Sequence, residues 1–338
     1  MTEISSQPPL ENEDPAQGYF TSYADPGVHR LMLLDRIRTD AYRKAIREVV
    51  TPEHSVLDVG SGTGILSLFC AQAGAHKVHS AEASDMIHLA ERIAYTNGID
   101  ENIEFHKGPV EALELSEPVD ILVSEWMGYF ALAECMFESV LIARDKHLAK
   151  GGIMIPHAVD IVLAPIEDDR LNFEQGCGFW ENPVYGFDFQ ELADHERHDP
   201  LLTAPGVPAE ALLGSGQTLV TLDCQNGDVE SFWFDSKTSL PIERDGTMHG
   251  LAGWFETHLT PNVCLSTSPL SPTTHWRQSF FPTRTLYVRE GDRLDISLRA
   301  VRREHGDPRL PIYFLEGSHM RDDHNLGTFF YRYYGSFE

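Results

Sequence analysis

SVLDVGSGTGILSLF, residues 55–69, constrains the fold more than any other stretch. A short apolar run of strand character meets glycines at 60, 62 and 64 and passes directly into an apolar helix-like run. A strand that enters a helix through a glycine turn is the opening unit of a doubly wound α/β sheet, with a ligand at the helix N-terminus. The alternation continues through the first half. KVHSAEA (77–83), NIEFHKG (102–108), VDILVSE (119–125) and GIMIP (152–156) read as further strands. Gly74 closes the first helix, and Ser84 is placed to cap a second that ends near Gly98. Upstream, Leu34, Ile37, Ala41, Ala45 and Val49 recur at helical spacing and predict a helix from Leu31 to Val50.

After Pro156 the pattern changes. DIVLAPIE, TLVTLDC, VESFWFD, GWFETHL, RTLYVRE and LDISLRA are rich in β-formers and separated by turn residues. They predict a second, antiparallel β domain, a barrel or a sandwich. A stretch dense in aromatics and charges, 168–205, interrupts it and reads as an interaction arm. Residues 1–18 are polar and acidic and are expected to be a flexible tail, leaving domains at 19–155 and 156–338.

Twenty-six Lys and Arg against 52 Asp and Glu give a net charge of -26. That balance disfavours a nucleic-acid backbone, which needs a basic stripe, and favours a Lys- or Arg-rich protein partner; solubility alone would also account for it. The five cysteines show no metal-ligand spacing, so no metal is expected, and no run reaches the ~18 apolar residues of a membrane span.

Two cofactor classes use a strand–glycine turn–helix. The dinucleotide fingerprint asks for a small residue where Ile65 stands. Asp58 two residues before Gly60, with Gly62 and Gly64 following, fits S-adenosylmethionine instead. Glu82, ending the next strand, could accept ribose hydroxyls in either class. Val110 and Glu111 follow the third strand and face the adenine, with Glu111 accepting from its amine; an exposed helix-start acid is the plainer reading. SEWMGYFALAECM (124–136) sets Glu125 and Glu134 among apolar neighbours, so a cation should meet them.

YFTSYADPGVHRLML (19–33), VLDVGSGTG (56–64), SEWMGYFALAECM (124–136) and TTHW (273–276), in that order, together resemble the protein arginine N-methyltransferases. The resemblance implies a Rossmann-like class I methyltransferase domain with N-terminal lid helices, an antiparallel β-barrel domain, and a homodimer formed through the 168–205 arm. It implies S-adenosylmethionine as donor and S-adenosylhomocysteine as product. Glu125 and Glu134 would clamp a substrate guanidinium. Arg38 resembles the arginine that binds the donor carboxylate, and His29 a donor-contacting histidine. Phe20 would cover the adenine while Tyr19 and Tyr23 form a lid. His275 resembles a proton acceptor or charge partner paired with Asp35, and Trp276 would line the arginine channel with Tyr129. Met32 and Met136 match methionines of the branch that makes asymmetric dimethylarginine. Substrates would be Gly/Arg repeats or histone tails, in the cytoplasm or nucleus. Pro183 in the arm and the stretch from Tyr313 to Glu338 depart from the family pattern. A small-molecule methyltransferase, a non-catalytic binder of Arg-rich segments and a dehydrogenase are the competing readings.

Overall fold

A computed structural model describes residues 25–198, 200–304, 307 and 309–335. The expected tail and the lid residues Tyr19, Phe20 and Tyr23 lie outside the described residues.

The predicted helix from Leu31 to Val50 is two helices. In α1 (Pro26–Leu34), proline occupies the first turn and Asp25 accepts from the Gly27 N–H at 2.7 Å. Asp35 then ends α1 and starts α2 (Arg36–Val49), its carboxylate accepting from the Arg38 N–H at 3.0 Å. Because the chain bends at this cap, the start of the stripe turns outward, while Ala41, Ala45 and Val49 still pack on the core. Arg38, Tyr42, Ala45 and Ile46 are buried, whereas Leu34 is 71% and Ile37 40% exposed.

The α/β unit follows as β1 (Ser55–Val59), α3 (Ile65–Gln72), β2 (Lys77–Glu82), α4 (Met86–Thr96), β3 (Ile103–Lys107), β4 (Val119–Ser124), α5 (Phe137–His147) and β5 (Leu148–Ile155). All five strands are parallel, in the order β3-β2-β1-β4-β5. Asp85 holds the N-cap position of α4 without a side-chain cap bond, and Ser84 Oγ accepts from the Met86 N–H at 3.3 Å. Chain order reverses between β1 and β4, so a crevice opens where both strands end, as it does in other open α/β sheets.

Ala158 opens the antiparallel half with β6 (Ala158–Ile166). The interruption is mainly helical: α6 (Asp169–Gln175), a 3-10 turn at Cys177–Phe179 and α7 (Gln190–His198), then the short β7 (Leu201–Leu202). The remaining strands are β8 (Gln217–Asp223), β9 (Asp235–Pro241), β10 (Gly246–Thr260), β11 (Val263–Ser266), β12 (Ser279–Val288), β13 (Arg293–Val301), β14 (Ile312–Arg321) and β15 (His324–Gly335). They form two five-stranded sheets. One runs β11-β10-β6-β8 with β12 on β10; the other runs β7-β15-β14-β13-β9. VESFWFD is not a strand: Val229–Phe232 is a 3-10 turn capped by Asp228, which accepts from the Ser231 N–H at 2.9 Å and competes with strand pairing. The carboxyl-terminal stretch that departs from the family pattern is the β14–β15 hairpin. Asp322 and Asp323 both take positive φ at its tip, as a type I′ turn requires.

Candidate active site

At the switch point lies a cavity of about 560 Å³, within the usual size for a cofactor site. Its floor is the glycine turn. Gly60, Gly62 and Gly64 have φ of 71°, 52° and 78°, a region where side chains are strained. A Cβ on Gly62 would also sit 2.8 Å from His29 Cε1. The first three amides of the turn are taken up within the protein. Gly60 and Ser61 donate to the Ala81 carbonyl, each at 3.0 Å, and Gly62 donates to Glu82 Oε2 at 2.9 Å. What the turn contributes is a bare backbone that a ligand can approach closely. Glu82 also accepts from the Ser84 N–H at 2.7 Å, which fixes its carboxylate at the cavity edge.

Asp58 requires a correction. Alternation along β1 turns it away from the cavity toward α3, where it is fully buried and accepts from Ser67 Oγ at 2.6 Å. Burial pushes its carboxyl up to about 7. Val110 and Glu111 do line the cavity, Val110 buried and Glu111 exposed with its carboxylate accepting from Ser139 Oγ at 2.5 Å. His29 and Met32 of α1 line the opposite wall.

The second half of the cavity is the loop between β4 and α5. Phe130, Ala131, Glu134 and Cys135 all have positive φ, from 52° to 77°. Four non-glycine residues in this region store strain, which persists only because the surroundings over-determine the loop. Phe130 anchors it in the second domain, packing edge-on against Phe281 at 5.1 Å and Tyr313 at 5.7 Å. Gly253 leaves room for that ring, since a Cβ there would sit 2.5 Å from Phe130 Cε2. Trp126 packs at a tilt against Phe137, ring centroids 4.7 Å apart, and the Glu134 N–H donates to the Arg309 carbonyl at 2.7 Å.

The first cation to meet this loop is internal. Arg38 donates from Nε and Nη2 to Glu125 Oε2 at 2.9 and 2.7 Å, both side chains less than one-tenth exposed. Burial would lower the Arg38 pKa, but Glu125 outweighs it and raises it further. The resemblance assigns Arg38 to a donor carboxylate; here Nε and Nη2 meet Glu125, Nη1 lies 3.4 Å from the Met32 carbonyl, and the residue lines the cavity. Glu125 Oε1 accepts from the Met127 N–H at 3.2 Å and keeps capacity for a further donor. Glu134, Tyr129 and Met136 line the same cavity. So does Cys135, but burial pushes its thiol up to about 12, so it stays protonated at neutral pH.

His275 and Trp276 reach the cavity from the second domain. His275 Nδ1 and its backbone N–H both lie 2.8 Å from Asp35 Oδ2. Burial raises the Asp35 carboxyl, but the His275 and Arg38 hydrogen bonds win and hold it below its usual value. Trp276 is buried, donates to the Met127 carbonyl at 2.7 Å and lies against the His275 ring at 4.1 Å. Arg309, which also lines the cavity, was not singled out from the sequence; it comes from a loop more than 170 positions beyond Glu134 with no local signal.

A parallel sheet with a glycine floor, an acid at the end of the next strand and an acidic loop over the switch point defines a methyltransferase, here closed by a second β domain. Residues 56–152 match a family profile described as a methyltransferase domain, and residues 157–313 match the arginine methyltransferase oligomerization subdomain. Protein arginine N-methyltransferase 1 of Schizosaccharomyces pombe is 39% identical over 281 residues, 81% of this chain and 82% of that protein. Protein arginine N-methyltransferase 1.1 of Arabidopsis thaliana is 36% identical over 318 residues, covering 90% and 80%. Among solved structures, the Trypanosoma brucei PRMT1 enzyme–prozyme heterotetramer with AdoHcy superposes with a TM-score of 0.85 at 31% identity, covering 93% of this chain and 100% of that one. Arabidopsis thaliana protein arginine methyltransferase 10 gives 0.83 at 30%, covering 94% and 99%. The chain belongs to the protein arginine N-methyltransferases.

Proposed function

We propose that the chain transfers methyl groups from S-adenosylmethionine to arginine in proteins, giving mono- and asymmetric dimethylarginine. The supporting observation is a single cavity with a bare glycine floor and Glu82 at one end and two glutamates on a strained loop at the other. The residues fit the donor. Gly60 and Gly62 admit close approach, Glu82 offers acceptor oxygens to a ribose, and Val110 gives an apolar wall to an adenine. When bound, the donor supplies an electrophilic sulfonium methyl.

Glu125 and Glu134 accept N–H groups of the substrate guanidinium and draw its charge away from the attacking nitrogen. With a pKa above 12, that guanidinium is not neutralised before reaction, so alignment and electrostatics carry the rate. The His275–Asp35 pair fixes the cavity wall and gives the departing proton an acceptor at the imidazole. Met32 and Met136 flank the cavity as they do in the asymmetric branch. The arm makes the homodimer, and basic Gly/Arg or histone-tail segments are the substrates.

Glu134→Gln keeps the shape and removes the charge. It should bind donor normally by calorimetry while methyl transfer falls by about 10²–10³-fold, the loss of one charge-stabilising group. Unchanged turnover in that variant overturns the clamp.

A further inference from the structure

At the far edge of the parallel sheet, three side chains that take no part in the cavity meet on one face. In the β2–β3 ladder His79 lies opposite Glu104, and Ala81 lies opposite His106. Alternation along parallel strands puts His79, Glu104 and His106 on the same side. His79 Nδ1 and His106 Nε2 are 3.0 Å apart. One Glu104 oxygen is 3.7 Å from the first nitrogen and the other is 3.8 Å from the second. Among the described residues this is the one group of three whose ligand atoms all lie within 4.8 Å of one another.

We propose that these three residues form a zinc site with water completing the shell. Two imidazoles and a carboxylate are the donor set of open zinc sites. Ligand atoms held ~2.0–2.2 Å from one tetrahedral ion are separated by about 3.4 Å, so the observed spacing needs only small adjustments. The two facing ring nitrogens share one proton in the His79–His106 hydrogen bond, and the ion takes the place of that proton between them. Access is open: the Glu104 side chain is half exposed, while those of His79 and His106 are mostly buried.

A neighbouring ion pair must also give way. Lys77 Nζ sits 2.6 Å from Glu104 Oε2 and must release it; both side chains are about half exposed, and such surface pairs contribute little. The site would staple the edge strand β3 to β2. Glu82 and Val110, at and just beyond the ends of these strands, both line the cavity, and the Gly108 N–H donates to the Glu82 carbonyl at 3.0 Å. Zinc here would fix strand ends without entering methyl transfer.

The test uses the full chain freed of metal with chelator. Zn²⁺ titrated by calorimetry should bind at one equivalent and raise the melting temperature, since the assembled site exists only in the folded state. Co²⁺ should give visible absorption bands of a nitrogen–oxygen site. Glu104→Gln and His106→Ala should each weaken binding at least tenfold, the half-exposed Glu104→Gln without lowering the metal-free melting temperature much; Lys77→Ala should tighten it. Absence of saturable Zn²⁺ binding, or binding undiminished in both ligand variants, would overturn the site.

Discussion

Single residues divide into those that line the cavity and those that hold the liners. Asp58 belongs to the second group, and its burial has a measurable consequence. A carboxyl with a folded pKa of about 7 against 3.8 ordinarily binds its proton more tightly when folded. Its contribution to stability is full below 3.8 and is lost as pH rises through about 7. His79, pushed down to about 4, acts in the opposite sense over an overlapping window, so the informative quantity is a difference. Asp58→Asn should gain in denaturation midpoint relative to the unaltered chain as pH goes from 4 to 8. A difference that does not change with pH would contradict the burial. The same residue shows how far the sequence could be read. Asp58 and the glycines identified the turn, but which way Asp58 points depends on strand alternation and on Ser67, nine positions away. Arg38 and Glu125 were both legible as site residues. Their pairing was not, because it joins positions 87 apart.

At the scale of elements, the strands of the parallel sheet were legible because each is a short apolar run closed by turn residues. Helix α2 was placed, and Ala41, Ala45 and Val49 of its stripe do pack on the core; Leu34 and Ile37, on either side of the cap at Asp35, do not. The arm was legible as an arm, but its helices were not, because they are short and charged; its tip is a turn at Val184–Phe187. That tip leaves Tyr185 98% and Phe187 69% exposed. Two large apolar side chains held out at the end of a helical arm are costly to leave in water and suit a protein contact. If the arm makes the dimer, Tyr185→Ser with Phe187→Ser should shift the chain from dimer to monomer in sedimentation, with the fold intact by circular dichroism. A dimer that survives both changes would place the interface elsewhere.

Across the whole molecule, the antiparallel domain closes over the switch point of the parallel sheet. Phe130, His275, Trp276 and Arg309 carry the junction, and no one of them is interpretable without its distant partner. The net charge of -26 acts at this scale too. If it steers basic segments to the cavity, the apparent KM for an Arg-rich peptide should rise several-fold between ~0.02 and ~0.3 M salt as the screening length shortens. A flat response would assign the charge to solubility.

The central claim is that the two-ended cavity moves methyl groups onto arginine, twice on the same nitrogen. Mass spectrometry of amino acids released from a Gly/Arg-rich peptide, after incubation with the chain and S-adenosylmethionine, tests it most directly. The account predicts monomethylarginine early and asymmetric dimethylarginine late. Symmetric dimethylarginine would contradict the reading of Met32 and Met136, and unmodified arginine from a chain shown to bind the donor would contradict the claim itself.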